Sequence, residues 1–364
     1  MSTLPAPAKL EHGVPLSPLT TLGLGGAARR FIAADDDETL IGALAWARDE
    51  GLPVALLGGG SNVVVPDAGV EGVVIALRMR GVTSIAHGDR VHVTAAAGES
   101  WDALVERCVH DDLAGIECLS GIPGLVGATP LQNVGAYGQE VSSTIASVRV
   151  LDRASLQQRV LTNAECDFSY RYSALKRDPN RYAVLAVTFA LQKGGAPAIR
   201  YRELVDAFAA HASKPSLAET RRTVIALRRN KAMVYDPSVP NENTRSAGSF
   251  FLNPIVPSEQ ADTLAAQLVT EGRIQNAAAL PRYPANDLAH AKLAAAWLIE
   301  AAGFRKGERH GNVGISTKHS LALVCHDGAT SAELLALAHT IEARVRVRFG
   351  IQLEREPVLL GGTA

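Results

Sequence analysis

Short apolar runs alternate with amphipathic segments along the first half of the chain. Residues 53–57 form a continuous apolar run, which is typical of a buried strand. Residues 37–50 carry apolar side chains at helical spacing and acids at their N-terminal end, and this pattern predicts an amphipathic helix. The same rules predict strands at 73–77, 91–95 and 182–191, and a helix at 101–109 with Ser100 as its N-cap.

Helical patterns dominate the second half of the chain, after a Gly- and Pro-containing linker at residues 193–197. Apolar spacing predicts helices at 217–231, 258–269, 292–302 and 331–349. Strands are predicted around Ser249, at 321–324 and at 351–354. The sequence pattern therefore predicts a protein of mixed α and β structure with more than one domain.

A turn of three glycines follows the first buried strand, at Gly58, Gly59 and Gly60. Glycine tolerates positive φ and lets a ligand lie directly against the backbone. Successive exposed N–H groups in such a turn bind anions, so the turn suits a phosphate or diphosphate. Ser61 and Asn62 add short polar side chains at its rim.

A second glycine-rich segment covers residues 121–138 and is too rich in Gly and Pro for a long regular element. It offers backbone amides together with polar side chains. Two such loops in one domain predict an extended, phosphate-bearing cofactor enclosed by backbone. The candidate contacts in this segment are Ile122, Gly124, Gly127, Thr129, Asn133, Gly135, Ala136 and Tyr137.

Composition and charge narrow the class of protein. Of 364 residues, 47% are hydrophobic and 20% charged, and the net charge is −1. These values are ordinary for a globular enzyme and give no electrostatic support for nucleic-acid or anionic-membrane binding. The N-terminus lacks a signal-peptide pattern, and no apolar stretch is long enough to cross a bilayer. We therefore expect a cytoplasmic protein with buried, unpaired cysteines.

Several other chemistries lack their sequence signatures. The histidines form no H-E-x-x-H cluster, so we predict no catalytic metal. No Gly-Lys-Ser/Thr follows the triple glycine, which argues against a P-loop nucleotidase. The G-x-G-x-x-A match at residues 23–28 does not follow a buried strand, as a Rossmann fingerprint requires.

Taken together, Gly-Gly-Gly-Ser-Asn at 58–62, Ile-Pro-Gly at 122–124 and Gln-Asn-Val-Gly-Ala-Tyr-Gly at 132–138 resemble the UDP-N-acetylenolpyruvoylglucosamine reductase family. The resemblance covers nearly the whole chain. It implies an α+β fold with an FAD-binding domain of the vanillyl-alcohol-oxidase (PCMH) type in two subdomains, followed by an α/β substrate-binding domain. The implied boundaries are 1–70 and 71–195 for the subdomains, 196–350 for the substrate domain, and 351–364 for a strand that returns to the active site.

The resemblance also implies three catalytic residues. Arg171, within Ser-Tyr-Arg-Tyr-Ser, corresponds to an arginine that faces the substrate's enolpyruvyl carboxylate. Ser249, within Ala-Gly-Ser-Phe-Phe, corresponds to a general acid that protonates a substrate carbon. Glu356 corresponds by register to a glutamate that returns to the active site, although Glu354 lies one strand step away and Arg355 between them could re-aim either carboxylate.

Three further positions correspond to substrate-binding residues. Tyr201 corresponds to a loop tyrosine that closes over the uridine diphosphate of type I members, Lys231 to a lysine that contacts the diphosphate, and Asn253 to a substrate-binding asparagine. The implied cofactor is noncovalent FAD, with NADPH as hydride donor. Hydride passes from flavin N5 to C3 of the enolpyruvyl ether and a proton reaches C2. We expect a monomer acting on a small-molecule UDP-sugar.

Two alternatives from other classes remain open on the sequence alone. One is a flavin-dependent oxidase of the same broad fold that passes electrons to oxygen. Many such enzymes tether FAD through a histidine, and neither glycine-rich loop contains one. The other is a non-catalytic sugar-nucleotide-binding protein, for which Arg171, Ser249 and Glu356 would be incidental.

Overall fold

The fold is known from a computed structural model that describes residues 5–210, 213–236, 238, 241–285 and 287–361. The described strands are β1 Leu10–Pro15, β2 Ala27–Ala34, β3 Val54–Leu57, β4 Val63–Val64, β5 Val70–Leu77, β6 Val82–His87, β7 Arg90–Ala96, β8 Leu113–Ala114, β9 Gly135–Ala136, β10 Gln139–Glu140, β11 Ile145–Asp152, β12 Gln158–Thr162, β13 Tyr182–Lys193, β14 Ile255–Pro257, β15 Arg282–Tyr283, β16 His290–Leu293, β17 Arg309–His310, β18 Val313–Ile315, β19 Leu323–Cys325 and β20 Val358–Leu359. The described α-helices are α1 Asp37–Asp49, α2 Trp101–His110, α3 Ala174–Arg177, α4 Arg202–Phe208, α5 Leu217–Asn230, α6 Ser258–Thr270, α7 Ala295–Ala301 and α8 Ser331–Phe349.

The first sheet has the strand order β1-β2-β5-β3, with β2 and β3 both parallel to β5. Helix α1 connects β2 to β3 and begins after Asp36, whose carboxylate accepts a hydrogen bond from the Thr39 N–H at 2.7 Å. The predicted helix and strands of this region are confirmed. Strand β5 belongs to this sheet by pairing, so the sheet extends past the predicted boundary at residue 70.

The second sheet is antiparallel, with the order β12-β11-β13-β7-β6 and with β8 added beside β13. Helix α2 begins at the predicted cap, since the Ser100 hydroxyl accepts from the Ala103 N–H, and it buries Trp101. One apolar core runs from α1 and the first sheet to α2 and the second. Helix α5 is tied to α2 by a bidentate Arg221–Asp102 pair at 2.6 and 2.9 Å. It thus packs on the part of the chain that precedes residue 195.

The C-terminal part of the chain has a separate core under two small sheets, β14-β16-β15 and β17-β18-β19. The long helix α8 has the predicted bounds, with a capping box at Thr330 and Glu333 and a left-handed Gly350 (φ 66°) at its end. The helix predicted at 292–302 is shorter, because Lys292 pairs with Ile255 in a strand. The helix therefore starts only at Ala295.

Two predicted strands are wrong. The segment around Ser249 is a loop, in which Gly248 has a φ of 72°. Residues 351–354 do not form a strand either. The two segments contact through a single antiparallel bridge between Phe251 and Arg355. The returning strand is β20, which pairs in parallel with β4 of the first domain.

Polar contacts, as well as strand β20, join the C-terminal part of the chain to its N-terminal part. Asp67 accepts hydrogen bonds from the N–H groups of Ser331 and Ala332, at 2.7 and 2.9 Å, at the N-terminus of α8. A carboxylate at this position satisfies unpaired helix donors and complements the helix dipole. Backbone and side-chain bonds therefore both join helix α8 and the C-terminal segment to the N-terminal part of the chain. The domain boundaries themselves stay predictions.

Candidate active site

A cleft of about 2290 Å³ lies where the two glycine-rich loops meet the C-terminal domain. Ordinary small-molecule sites enclose roughly 300–1,000 Å³, so this cleft has room for a cofactor and a substrate together. Of the residues predicted from sequence, the structure brings all but one to its walls: Gly58, Gly59, Gly60, Ser61, Asn62, Ile122, Gly124, Gly127, Thr129, Gly135, Ala136, Tyr137, Arg171, Tyr201, Lys231, Ser249, Asn253 and Glu356.

The two glycine-rich loops touch each other through backbone. A Cβ on Gly59 would lie 2.8 Å from the Gly124 Cα, and the Ser61 hydroxyl donates to the Pro123 carbonyl at 3.2 Å. Gly60 has a φ of 65°, and a Cβ there would lie 1.9 Å from the Leu19 carbonyl oxygen. A side chain at Gly59 would push the two loops apart, and one at Gly60 would push the first loop away from Leu19. The absence of side chains thus gives this wall of the cleft its shape.

Asn133 is the exception among the predicted cofactor residues. It is buried, its amide donates to Glu140 at 2.8 Å and to the Ser169 carbonyl at 3.0 Å, and its oxygen accepts from the Ser142 N–H at 3.1 Å. It does not line the cleft in this structure. Its observed contacts are internal: the side chain joins the second loop to the segment that carries Arg171.

Arg171 is held at the floor of the cleft in an unusual backbone conformation, with a φ of 54°. Its guanidinium donates to the carbonyls of Gly135 and Asn133. Its Nε lies 3.3 Å from a carboxylate oxygen of Glu356. A non-glycine residue at positive φ is strained and persists where its surroundings hold it, as at many functional sites. The contacts from the second loop provide that support.

Glu356 reaches the same point from the C-terminal segment. The Glu356 N–H donates to the Phe250 carbonyl at 2.9 Å, and the side-chain amide of Asn62 donates to the Glu356 backbone carbonyl at 3.2 Å. Burial raises the pKa of its carboxyl, an effect that the nearby charges of Arg171 and Lys176 only partly oppose. The carboxyl therefore holds a proton to higher pH than an exposed glutamate does.

The choice between the two neighbouring glutamates depends on where Arg355 binds. Arg355 forms a bidentate pair with Glu342 of α8, at 2.6 and 2.8 Å, and so re-aims neither candidate. The Glu354 side chain is exposed, whereas the Glu356 side chain is 14% exposed and beside Arg171. The geometry favours Glu356.

The outer end of the cleft combines aromatic rings with a lysine. Tyr137 and Tyr201 meet edge to face with ring centroids 5.6 Å apart, and the Lys231 ammonium lies 5.6 Å from the Tyr137 ring centroid. Lys231 also pairs with Glu203 at 2.6 Å. The Asn253 side chain accepts from the Ala295 N–H at 2.9 Å, so one of its groups is used to start α7.

Many residues that line the cleft were not predicted from sequence, and three of them have distinctive surroundings. Lys292 stacks on Tyr170, with its ammonium 4.2 Å from the ring centroid. Burial, aided by Lys231 and Lys306, lowers the pKa of His319 to about 4, so the imidazole is neutral at pH 7. Arg228 is buried, and its Nε has no hydrogen-bond partner among the described residues. Periodicity could not find them, because each belongs to the cleft only through tertiary packing.

Other features of the described residues bear on the remaining predictions. All four cysteines are buried and free, as predicted, and burial raises the pKa of each thiol. Within the described ranges, no group of three or more His, Cys, Asp or Glu side chains is arranged to hold a metal ion. None of the described helices is both long and apolar enough to span a membrane.

Comparison with known proteins agrees with this geometry. Residues 28–159 match the model of the FAD binding domain, and residues 239–360 match that of the UDP-N-acetylenolpyruvoylglucosamine reductase C-terminal domain. Reductases of that name from Streptomyces coelicolor and Thermobifida fusca are 45% and 48% identical, over 98% and 97% of this chain and 91% and 98% of their own. The crystal structure of the Thermus caldophilus reductase has a TM-score of 0.61 at 24% identity, and the match covers 96% of this chain and 98% of that one.

These matches confirm the predicted resemblance and the α+β fold class, with an FAD-binding domain followed by a C-terminal domain of the reductase type. They also confirm the prediction of a flavin-dependent oxidoreductase. The chain belongs to the UDP-N-acetylenolpyruvoylglucosamine reductase family.

Proposed function

We propose that the chain reduces UDP-N-acetylglucosamine enolpyruvate to UDP-N-acetylmuramate, a step in peptidoglycan precursor synthesis, with NADPH as electron source. The names of its relatives support the substrate. The observation that carries the proposal is the Arg171–Glu356 pair, 3.3 Å apart in a cleft that Ser249 also lines. An arginine, a buried glutamate and a serine in one place suit the binding of a substrate carboxylate that gains charge during the reaction.

The residues of the cleft fit a noncovalently bound FAD. A Cβ on Gly58 would meet no protein atom within 4 Å, so the triple-glycine turn leaves open space beside its backbone at the cleft wall, which suits close approach of a diphosphate to N–H groups. Arg228 supplies a buried cation with an unsatisfied N–H beside the second loop, within 3.4 Å of where a Cβ on Gly121 would lie. When bound, FAD would accept hydride from NADPH and deliver it to C3 of the enolpyruvyl group.

Arg171 and Glu356 have complementary parts in the proposed reaction. Hydride arrival at C3 leaves negative charge at C2, which spreads into the substrate carboxylate. The Arg171 guanidinium would hold that carboxylate in a charge-assisted hydrogen bond. A protonated Glu356, consistent with its raised pKa, would donate a second hydrogen bond. Donors placed where charge develops contribute most of the rate in such sites.

Ser249 would complete the reaction by donating its hydroxyl proton to C2. An unactivated hydroxyl is a weak acid, so its alkoxide must be reprotonated quickly. The Ser249 side chain lies at the wall of an open cleft, where water can return the proton. The loop that carries it is joined to Glu356 through the bond between the Phe250 carbonyl and the Glu356 N–H. This bond keeps the proposed acid and carboxyl in one unit.

The remaining predicted residues would hold the uridine diphosphate. Lys231 and Tyr201 both lie beside Tyr137 at the outer end of the cleft; Tyr201 is the N-cap of helix α4, and Lys231 is tied to that helix through Glu203. Asn253 lies on the same wall as Ser249. We propose these three as substrate-binding residues.

An anaerobic titration tests the proposal directly. The flavin of the purified protein would be bleached with NADPH, and UDP-N-acetylglucosamine enolpyruvate would then be added while the visible spectrum is followed. Return of the oxidised flavin without oxygen is the expected result. A flavin that stays reduced until air enters would support an oxidase instead. A protein that binds no FAD would contradict the proposal and favour a sugar-nucleotide-binding role.

A further inference from the structure

The C-terminal segment presents two adjacent charged side chains to two different domains. Glu356 lies beside Arg171 of the FAD-binding domain, whereas Arg355 pairs with Glu342 on helix α8 of the C-terminal domain. Immediately after them, β20 crosses to β4 of the first domain. The segment is thus the point at which the two domains meet at the proposed reaction centre.

The pair on α8 is well formed compared with most surface ion pairs of this protein. Arg355 uses two of its nitrogens on the two oxygens of Glu342, at 2.6 and 2.8 Å, and the Glu342 side chain is 13% exposed. A bidentate arginine–carboxylate pair restricts orientation as well as distance. An exposed pair of similar length, such as Arg29–Glu71 with side chains 63% and 80% exposed, lacks this confinement.

Two backbone hydrogen bonds hold this segment against the Ser249 loop: the Leu252 N–H donates to the Glu354 carbonyl and the Glu356 N–H donates to the Phe250 carbonyl, both at 2.9 Å. Residues 351–356 form no regular strand, and the contact with the Ser249 loop is one isolated bridge, at Phe251 and Arg355. The backbone contact is short, so side-chain contacts also contribute to the orientation of the segment. Because the Arg355 side chain is anchored on α8, the next side chain is directed into the cleft.

We propose that Glu342 and Arg355 are positioning residues for Glu356: their bidentate pair anchors the segment on α8 and so aims the Glu356 carboxyl at Arg171. This inference rests on the proposed role of Glu356 in the second half-reaction. The pair touches neither substrate nor cofactor. Its effect is confined to the geometry of Glu356, where a displacement of about 1 Å can cost up to roughly 100-fold in rate.

The test separates the two half-reactions of the FAD-loaded protein by stopped flow. In Glu342→Gln, flavin reduction by NADPH is expected to stay within about two-fold of the wild type, and reoxidation by UDP-N-acetylglucosamine enolpyruvate to fall about ten-fold. Asp35→Asn, which breaks the exposed Lys9–Asp35 pair at 2.7 Å, is the control, since neither residue lines the cleft, and it should change neither rate. Equal slowing of both half-reactions, or no slowing, would overturn the inference.

A charge exchange provides the rescue. The double variant Glu342→Arg with Arg355→Glu rebuilds the pair with its ends reversed, and reoxidation should return to within about three-fold of the wild type. Failure of the exchange in a folded protein would count against the inference. If Glu342→Gln does not fold, Arg355→Lys keeps the charge and loses the fork, and an unchanged reoxidation rate in that variant would equally overturn it.

Glu356→Gln distinguishes failure of this inference from failure of the proposed function. If Glu356→Gln leaves reoxidation unchanged, the proposed role of Glu356 is wrong, and the positioning role falls with it. If Glu356→Gln slows reoxidation and Glu342→Gln does not, the proposed function stands and only the positioning role is overturned.

Discussion

The inner wall and the floor of the cleft are built in opposite ways. The wall at Gly59, Gly60 and Gly124 is backbone and closely packed: an added Cβ would lie 2.8 Å from a main-chain atom at Gly59, 1.9 Å from one at Gly60, and 2.7 Å from the Ser61 hydroxyl at Gly124. The floor is made of charged side chains, Arg171 and Glu356, which come from distant parts of the chain. The wall depends on the absence of side chains, and the floor depends on their convergence.

This difference teaches how each part can fail. A close-packed backbone wall has no slack, so a single methyl group changes its shape and with it the binding of a cofactor. A converged charge site keeps its shape when one side chain is replaced by a similar one, but loses its chemistry. Substitutions in the wall should therefore affect FAD content, and substitutions in the floor should affect rate with FAD still bound.

Ser249→Ala should produce the largest change in rate and so sharpen the comparison. The variant removes the proposed proton donor from a loop whose backbone it leaves alone. Reoxidation of the reduced flavin by substrate should fall roughly 100- to 10,000-fold, the range for loss of a general acid. Reduction by NADPH and the FAD content should stay near the wild-type values. If the two half-reactions slow together in stopped flow, Ser249 is structural.

Gly60→Ala should damage the wall. The new Cβ meets the Leu19 carbonyl oxygen at 1.9 Å, and alanine tolerates the φ of 65° poorly. The free energy of unfolding should fall by roughly 2–4 kcal/mol and the protein should purify with less FAD. Thermal denaturation and the flavin-to-protein absorbance ratio measure both effects.

Two glycines serve as controls for that variant. A Cβ on Gly58 meets no protein atom within 4 Å, so Gly58→Ala should keep the protein's stability and weaken FAD only through contact with the cofactor itself. Gly42 lies inside helix α1 with open space around it, and Gly42→Ala should stabilise by about 0.5–1 kcal/mol. Normal FAD content in Gly60→Ala would remove the distinction between wall and floor.

Arg171→Lys should have a smaller effect, confined to rate. Lysine keeps the charge but loses the planar fork, and the bonds to the carbonyls of Gly135 and Asn133 cannot all be replaced. Reoxidation should slow roughly 10- to 100-fold, equivalent to one or two charge-assisted hydrogen bonds. FAD content should be unchanged. Loss of flavin in this variant would place Arg171 in the cofactor wall instead.

The smallest expected effect is on stability: besides slowing reoxidation, Glu356→Gln should change the pH dependence of the free energy of unfolding. Burial raises the pKa of the folded carboxyl above its unfolded value, so its contribution to stability is complete at low pH and is lost as the pH rises through the folded pKa. Glutamine does not ionise, so the stability of Glu356→Gln has no such loss at this position. The free energy of unfolding of the wild type minus that of Glu356→Gln should therefore decrease as pH rises, and urea titrations from about pH 4 to 8 measure it. A constant difference would mean that Glu356 ionises like an exposed glutamate.

The wall was predictable from sequence because its signals are local. A triple glycine after an apolar strand needs no knowledge of distant residues, and Gly58, Gly59 and Gly60 do line the cleft, although their contact with a cofactor stays a prediction. Asn133 shows the limit of that reasoning: its polar side chain suited a ligand, but the fold uses it for internal bonds to Glu140 and Ser169. Local composition does not say which partner a buried amide finds.

The floor was predictable only through family resemblance. Arg171, Ser249 and Glu356 lie far apart in sequence, and none has a local pattern that distinguishes it from a surface residue. The predicted strands around Ser249 and at 351–354 were wrong, since both segments are held by tertiary bonds rather than by a sheet. Periodicity reports burial on one face, and these segments are buried irregularly.

The amino-acid sequence by itself determined helices α1, α2, α5, α6 and α8, the central strands, the N-cap of α2 and the glycine loops, because each depends on propensities and contacts within a few residues. Tertiary structure alone decided that Arg355 pairs with Glu342 and leaves Glu356 beside Arg171, and that Lys292, His319 and Arg228 reach the cleft. The physical reason is that charge pairing and burial depend on distance in space, and sequence separation carries no information about that distance until the chain has folded.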